Sequence, residues 1–230
     1  MNPFLRLLLV VLIGCMAGWF MRSRSDRGEP GWWFLALLIA AAVSVLLSAL
    51  SWWIGDETIS RSFWIAHLMA LSLSIFLVFG FTRSFNSKTD FTLLFWSLPF
   101  MLDMAIIIVD SQYLFERSGN SWIPRGDNAF VYLHIGIAVF YAAISLYYGF
   151  MVYNALKLHD QREKSIRFRY ILAGLLVIFA AQVVAAPIRA VLTTTGPVAE
   201  GGTLIGALLL WLGTVEPKAV FLERKKQRVA

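Results

Sequence analysis

Long apolar runs alternate with short polar ones along the whole chain. Seven runs approach the roughly 20 apolar residues that a bilayer-crossing helix needs: about 3–21, 32–54, 62–82, 91–109, 128–156, 168–191 and 200–221. The separators are RSRSDRGEPG, GDETISR, TRSFNSKTD, DSQYLFERSGNSWIPRGD, KLHDQREKSIR and the TTTGPVAEGG region. No run alternates apolar and polar residues with period two, so the pattern does not predict a membrane β-barrel. It predicts an all-α integral membrane protein, a seven-transmembrane-helix bundle forming one domain over 1–221, with a basic tail at 222–230.

Composition supports this class. Of the 230 residues, 59% are hydrophobic and only 15% are charged, against roughly 25% charged in an ordinary soluble domain. A soluble fold of this length has too little interior for so much apolar surface. Cys15 is the only cysteine, which excludes an intrachain disulfide and a cysteine-based metal cluster.

The net charge is +6, and its placement sets the threading. One set of separators, 22–31, 83–90, 157–169 and the segment after 217, carries most of the 20 lysines and arginines. The opposite set holds only Arg6, Arg61, Arg117, Arg125 and Arg189. The positive-inside rule then puts the N-terminus outside and the C-terminus in the cytoplasm, in the cell (inner, cytoplasmic) membrane, multi-pass. Basic charge spread over juxtamembrane loops suits anionic lipid and not nucleic acid. The stretch MNPFLRLLLVVLIGCMAGWF has the look of a signal peptide, but its basic cluster follows the apolar run. That order predicts a retained N-out anchor. Eight of the nine tryptophans, Trp32, Trp33, Trp52, Trp53, Trp64, Trp96, Trp122 and Trp211, fall mostly near helix ends, the depth their amphipathic rings prefer.

Small-residue stripes predict where helices approach closely. Gly14 and Gly18 form one in the first helix, Gly202 and Gly206 another in the seventh, and Ala41, Ser44, Ser48 and Ser51 a third in the second. We read them as internal packing, with homodimerisation as the alternative use.

Ionisable groups at membrane depth are costly and are functional candidates by default. They are His67, Asp103, His134 and, nearer the edge, Arg189, with Gln182 as a polar companion. At about 1.5 Å per residue, both histidines lie some 7–10 Å below the outer surface, and Asp103 lies at similar depth. Asp103 is expected to pair with Arg189 or to orient a histidine. His134, Ala138, Tyr141, Ser145 and Tyr148 share one face of the fifth helix, which should look inward, and Ser74 follows His67 on one side of the third.

Three readings of this outer layer stay open. The groups hold the bundle together through hydrogen bonds, or they form a ligand or signal pocket open to the outside. Alternatively, His67 and His134 are the axial ligands of a haem b. A zinc hydrolase would want three or four ligands and an open position. A retinal protein would want a buried lysine, and every lysine falls outside the cores of the apolar runs, Lys218 being the nearest. No G-x-S-x-G, P-loop or H-E-x-x-H occurs.

The order of features resembles the seven-helix membrane sensor region at the N-terminus of some bacterial and archaeal histidine kinases. A short first helix runs into the Arg-rich RSRSDRGEP and a Trp-bearing second helix. RSFWIAHLMALSLSIFLVFGF follows, then IIVDSQYLFE with a longer outer loop, DNAFVYLHIGIAVFY, and a basic connector into RYILAGLL. The resemblance spans most of 1–220. It implies sensing of a membrane or extracytoplasmic signal that passes down the last helix. The chain departs from that family because its residues include no phosphoacceptor-histidine helix and no ATP-binding domain. The expectation is therefore a non-enzymatic membrane receptor or sensor module working through a signalling partner. Its ligand-binding residues would be His67, Asp103, His134, Tyr141, Gln182 and Arg189. The alternatives are a b-type haem electron-transfer protein and an accessory subunit of a larger membrane complex.

Overall fold

The computed structural model describes residues 3–23, 29–85, 91–118, 121–124, 129–159, 162–191 and 196–214; of 3–5, 20, 23, 29, 110–115, 118, 121, 123–124, 162–163, 182–191, 196–200 and 214 it describes the backbone alone. Among the described residues there are seven helices and one hairpin. In chain order these are α1 (Pro3–Ser23), α2 (Glu29–Trp53), α3 (Glu57–Ser84), α4 (Thr92–Leu114), β1 (Phe115–Ser118), β2 (Ser121–Pro124), α5 (Ala129–Leu158), α6 (Arg162–Val191) and α7 (Gly196–Thr214). Four of the helices are long and apolar enough to cross a membrane: 30–53, 57–84, 92–109 and 129–158. Shorter apolar stretches cover Arg6–Trp19 in α1 and Gly201–Gly213 in α7. This is a membrane protein with transmembrane helices.

Several boundaries differ from the apolar runs, because hydropathy marks the membrane-embedded part of a helix and capping marks its end. α3 begins well before the run at 62. Asp56 is its N-cap, accepting a hydrogen bond from the Ile59 amide at 2.9 Å, and Glu57 pairs with Arg61 one turn on. α6 starts within the polar REKSIR segment. α4 continues past 109 to Leu114. For the seventh run, the part beyond Thr214 lies outside the described residues.

The helices form a ring. α1 packs on α2, α2 on α3, α3 on α5, α5 on α6, α6 on α7, and α7 returns to α1. α4 lies outside this ring, seated on α3 and α5. The core follows the same division. A large apolar cluster takes Ile13, Phe34, Phe81, Val152, Phe168, Leu175 and Leu210 from every helix except α4. A second, aromatic cluster belongs to α3, α4 and α5. Phe76, Phe79, Ile137 and Tyr141 make its buried centre, with Trp96 and Phe100 packed against it. The outer face of α4 is apolar and exposed, at Leu94, Leu98, Met101 and Val109 among others, as a helix against lipid would be.

The glycine stripes behave differently from each other. On α7 the expectation of internal packing holds. A methyl group at Gly174 of α6 would meet the Gly206 carbonyl at 2.6 Å and the Leu210 amide at 2.9 Å, and Gly202 faces Ala181. On α1 it fails. A methyl group at Gly14 or Gly18 would meet nothing within 4 Å, because among the described residues no helix packs on that face. Gly174 also belongs to the contact and was not part of either predicted motif.

The β1–β2 hairpin was not anticipated. Its antiparallel register pairs Glu116 with Ile123 and Arg117 with Trp122. It is tied to the α2–α3 turn. Arg117 donates to the carbonyls of Gly55 (3.1 Å) and Ile54 (3.4 Å), Trp122 Nε1 donates to Ser60 Oγ at 3.1 Å, and the Arg61 guanidinium lies 5.5 Å from the centre of the Trp122 ring.

Gly174→Ala is expected to lower stability by about 1–3 kcal/mol, the usual cost of overpacking. Gly14→Ala should leave stability unchanged or slightly raised, since alanine is the better helix former. Unfolding of the two variants in detergent micelles checks the contrast.

Candidate functional site

Asp103 is the best-buried ionisable side chain of the predicted layer, with 2% of its surface exposed. It sits on the face of α4 turned toward α3 and α5. An isolated carboxylate in such surroundings would be strongly disfavoured. A hydroxyl and an imidazole meet it. The Ser72 hydroxyl of α3 donates to Oδ2, and His134 Nδ1 of α5 lies 2.7 Å from Oδ1. Asp103 thus orients a histidine, one of its two expected roles. His134 keeps 13% of its side chain exposed. With Nδ1 held by the carboxylate, Nε2 is the atom through which the ring would meet a ligand. A carboxylate behind Nδ1 is the arrangement that fixes the tautomer and direction of functional histidines.

His67 is turned elsewhere. Its Nδ1 lies 2.9 Å from the Ser44 carbonyl and 3.0 Å from Ser44 Oγ, so the ring donates to α2. Its ring also lies against Trp64, with centroids 4.7 Å apart. Ser72 sits about 140° around α3 from His67 at 3.6 residues per turn. One side of α3 therefore engages α2 and another engages α4 and α5. The single outer layer expected from depth is two separate contacts. For a shared haem iron, both Nε2 atoms would have to converge from these two sides. Among the described residues, no three His, Cys, Asp or Glu side chains come together as a metal-holding group.

The inward face of α5 is as expected. Tyr141 is 1% exposed and Ser145 is fully buried, while His134, Ala138 and Tyr148 are half-buried. The Tyr141 hydroxyl accepts from the Phe100 amide at 3.1 Å and donates to the Trp96 carbonyl, both on α4. Ser74 is buried and its hydroxyl returns to the Ala70 carbonyl of its own helix. Gln182 and Arg189 lie on α6, and their side chains are outside the described residues.

The sequence reading missed three participants. Ser72 carries no signal except that it is a hydroxyl on the inward face of α3. Ser44 was read only as a small packing residue, yet its whole stripe is polar glue. The Ser48 carbonyl accepts from Arg6 at 2.6 Å, and the Ser51 carbonyl accepts from Ser60 Oγ at 2.6 Å. Arg6 was counted for topology alone, but it is 6% exposed. Its position inside an apolar run was the available signal.

No protein-family model, curated protein or solved structure matches the chain.

Ser72→Ala removes the hydroxyl donor from Asp103 and is expected to cost about 1–3 kcal/mol, the penalty for a buried charged acceptor left short. Ser74→Ala should cost less than about 0.5 kcal/mol, since its hydroxyl only bonds back along α3. Denaturant unfolding of the two single variants gives the comparison.

Proposed function

We propose that the protein is a receptor or sensor module of the cell membrane, with seven spans, an outside N-terminus and a cytoplasmic C-terminus. The basic residues concentrated in alternate loops support that threading. The observation that carries the functional reading is the buried Asp103–His134 contact, which joins the peripheral helix α4 to the ring. A carboxylate–imidazole pair among lipid-facing helices is expensive to bury, which makes it a functional candidate beyond its part in seating α4. A ligand or signal that acts on the pair accounts for its being there. His134 presents the ligand-facing atom, Asp103 orients it and Ser72 completes the carboxylate's shell. His67 fixes α3 to α2 on another side of α3, and Tyr141 lies on the same face of α5 as His134. Gln182 and Arg189 of α6 are assigned to the same outer half. The chain carries no catalytic motif, so the response is passed to a cytoplasmic or membrane partner, as in the sensor regions it resembles.

The test is mass spectrometry of the small molecules extracted from the full chain purified from its native membrane. The wild type should carry a near-stoichiometric compound, reduced at least tenfold in Asp103→Asn and His134→Ala. Equal recovery from all three proteins, or no enriched compound, contradicts the reading. An absorbance spectrum of the same preparations separates it from the haem alternative. A Soret band lost in both His67→Ala and His134→Ala would replace the receptor reading with a b-type haem protein.

A further inference from the structure

Pro99 lies inside α4. A proline has no amide hydrogen, so the carbonyl four residues earlier, that of Phe95, loses its helical donor. The next rung would join the Trp96 carbonyl to the Phe100 amide. Those are the two groups that the Tyr141 hydroxyl engages. It donates to the Trp96 carbonyl and accepts from the Phe100 amide at 3.1 Å. A side chain inserted at a rung of this kind is a recognised cause of local change in helix course. The hydroxyl is well sheltered. The Phe76 and Phe79 rings stand 5.7 and 5.8 Å from the Tyr141 ring, and only 1% of Tyr141 is exposed.

Asp103 follows Phe100 by one turn. α4 and α5 run antiparallel, since residues 96–100 meet Tyr141 while Asp103 meets His134. The fifth helix therefore holds the fourth at two points on one face, two turns apart. We infer that Tyr141 is the positioning residue of the Asp103–His134 site: its hydroxyl carries the Trp96–Phe100 rung beyond Pro99 and so sets the turn that aims the carboxylate. Main-chain hydrogen bonding does not set that turn alone, because the proline ring pushes the Phe95 carbonyl aside and strains the Trp96–Phe100 rung next to it. Without the hydroxyl, the turn from 100 to 103 rotates, and Asp103 can no longer reach both Ser72 on α3 and His134 on α5. The inference concerns the geometry of this contact and holds whatever the contact senses.

The experiment uses the full chain in lipid nanodiscs with ¹⁵N-labelled histidine. The protein has three histidines, so the His134 ring signals are identified by their loss in His134→Gln. Correlations from the ring carbon-bound protons report the tautomer and the hydrogen bond at Nδ1. Four proteins are compared with wild type: Asp103→Asn, Tyr141→Phe, Pro99→Ala, and Tyr141→Phe with Pro99→Ala. Tyr141→Phe should move the His134 Nδ1 shift to its value in Asp103→Asn. Pro99→Ala alone should keep the wild-type value. The double variant should regain it, because replacing the proline removes the ring's clash with the Phe95 carbonyl and lets the Trp96–Phe100 rung close within the main chain.

An unchanged His134 shift in Tyr141→Phe overturns the inference, and so does failure of Pro99→Ala to restore it. If Tyr141→Phe does not fold, the double variant decides. A folded double variant with the wild-type shift supports the inference, and one that lacks the shift or the fold refutes it. A tyrosine that merely filled space would not be rescued at a position on another helix. The readout is the ring of His134 and not ligand recovery, so this result and that of the extraction experiment fail independently.

Discussion

Hydrocarbon solvates a carboxylate far worse than water does, and Asp103 at 2% exposure has to be answered by protein donors. That requirement shapes the region around α4. The helix stands outside the ring, with an exposed apolar outer face and two neighbours, α3 and α5. Apolar contact in lipid distinguishes poorly between one helix rotation and another, because lipid tails are as apolar as leucine. A hydroxyl from α3 and an imidazole from α5 meeting one carboxylate leave far fewer arrangements. The polar contact therefore specifies where α4 sits, while the aromatic cluster of Phe76, Phe79 and Tyr141 fills the space beside it.

The other helices are joined by a similar use of small polar groups. Ser44, Ser48 and Ser51 recur along one face of α2, and each offers a carbonyl or hydroxyl to a neighbour: His67, Arg6 and Ser60. Small side chains bring backbones close, and that closeness puts main-chain carbonyls within reach of donors on the next helix. The hairpin extends the same logic past the helix ends. Through Ser60, Trp122 is tied to the contact between α2 and α3. The connection from α4 is thereby anchored on the far side of α3.

The existence of the helices was legible because seven apolar runs stand clear of their separators. The shared level of Asp103 and His134 was legible too, since residue count along a span converts to distance. What depth left open was direction. His67 and His134 were expected at one depth, and they engage different helices, because each ring's azimuth depends on which neighbour lies opposite. That same dependence separates Gly202 and Gly206 from Gly14 and Gly18. One G-x-x-x-G has α6 against it and the other faces open space. Ser72 went unnoticed because a serine in an apolar helix usually bonds back along its own backbone, as Ser74 does. The hairpin did leave a mark. Gly119 and Asn120 separate β1 from β2, and such a pair between short β-prone runs is a two-residue turn signal. It was overlooked in a loop read only as polar.

The central claim is that Asp103 and His134 act as one unit holding α4 to the ring. A double-mutant cycle measures this directly, with Asp103→Ala, His134→Ala and the pair unfolded in the same micelles. The account predicts a coupling energy of about 1–3 kcal/mol, as for contacting residues in one hydrogen-bond network. Losses that simply add, with a coupling near zero, would contradict it.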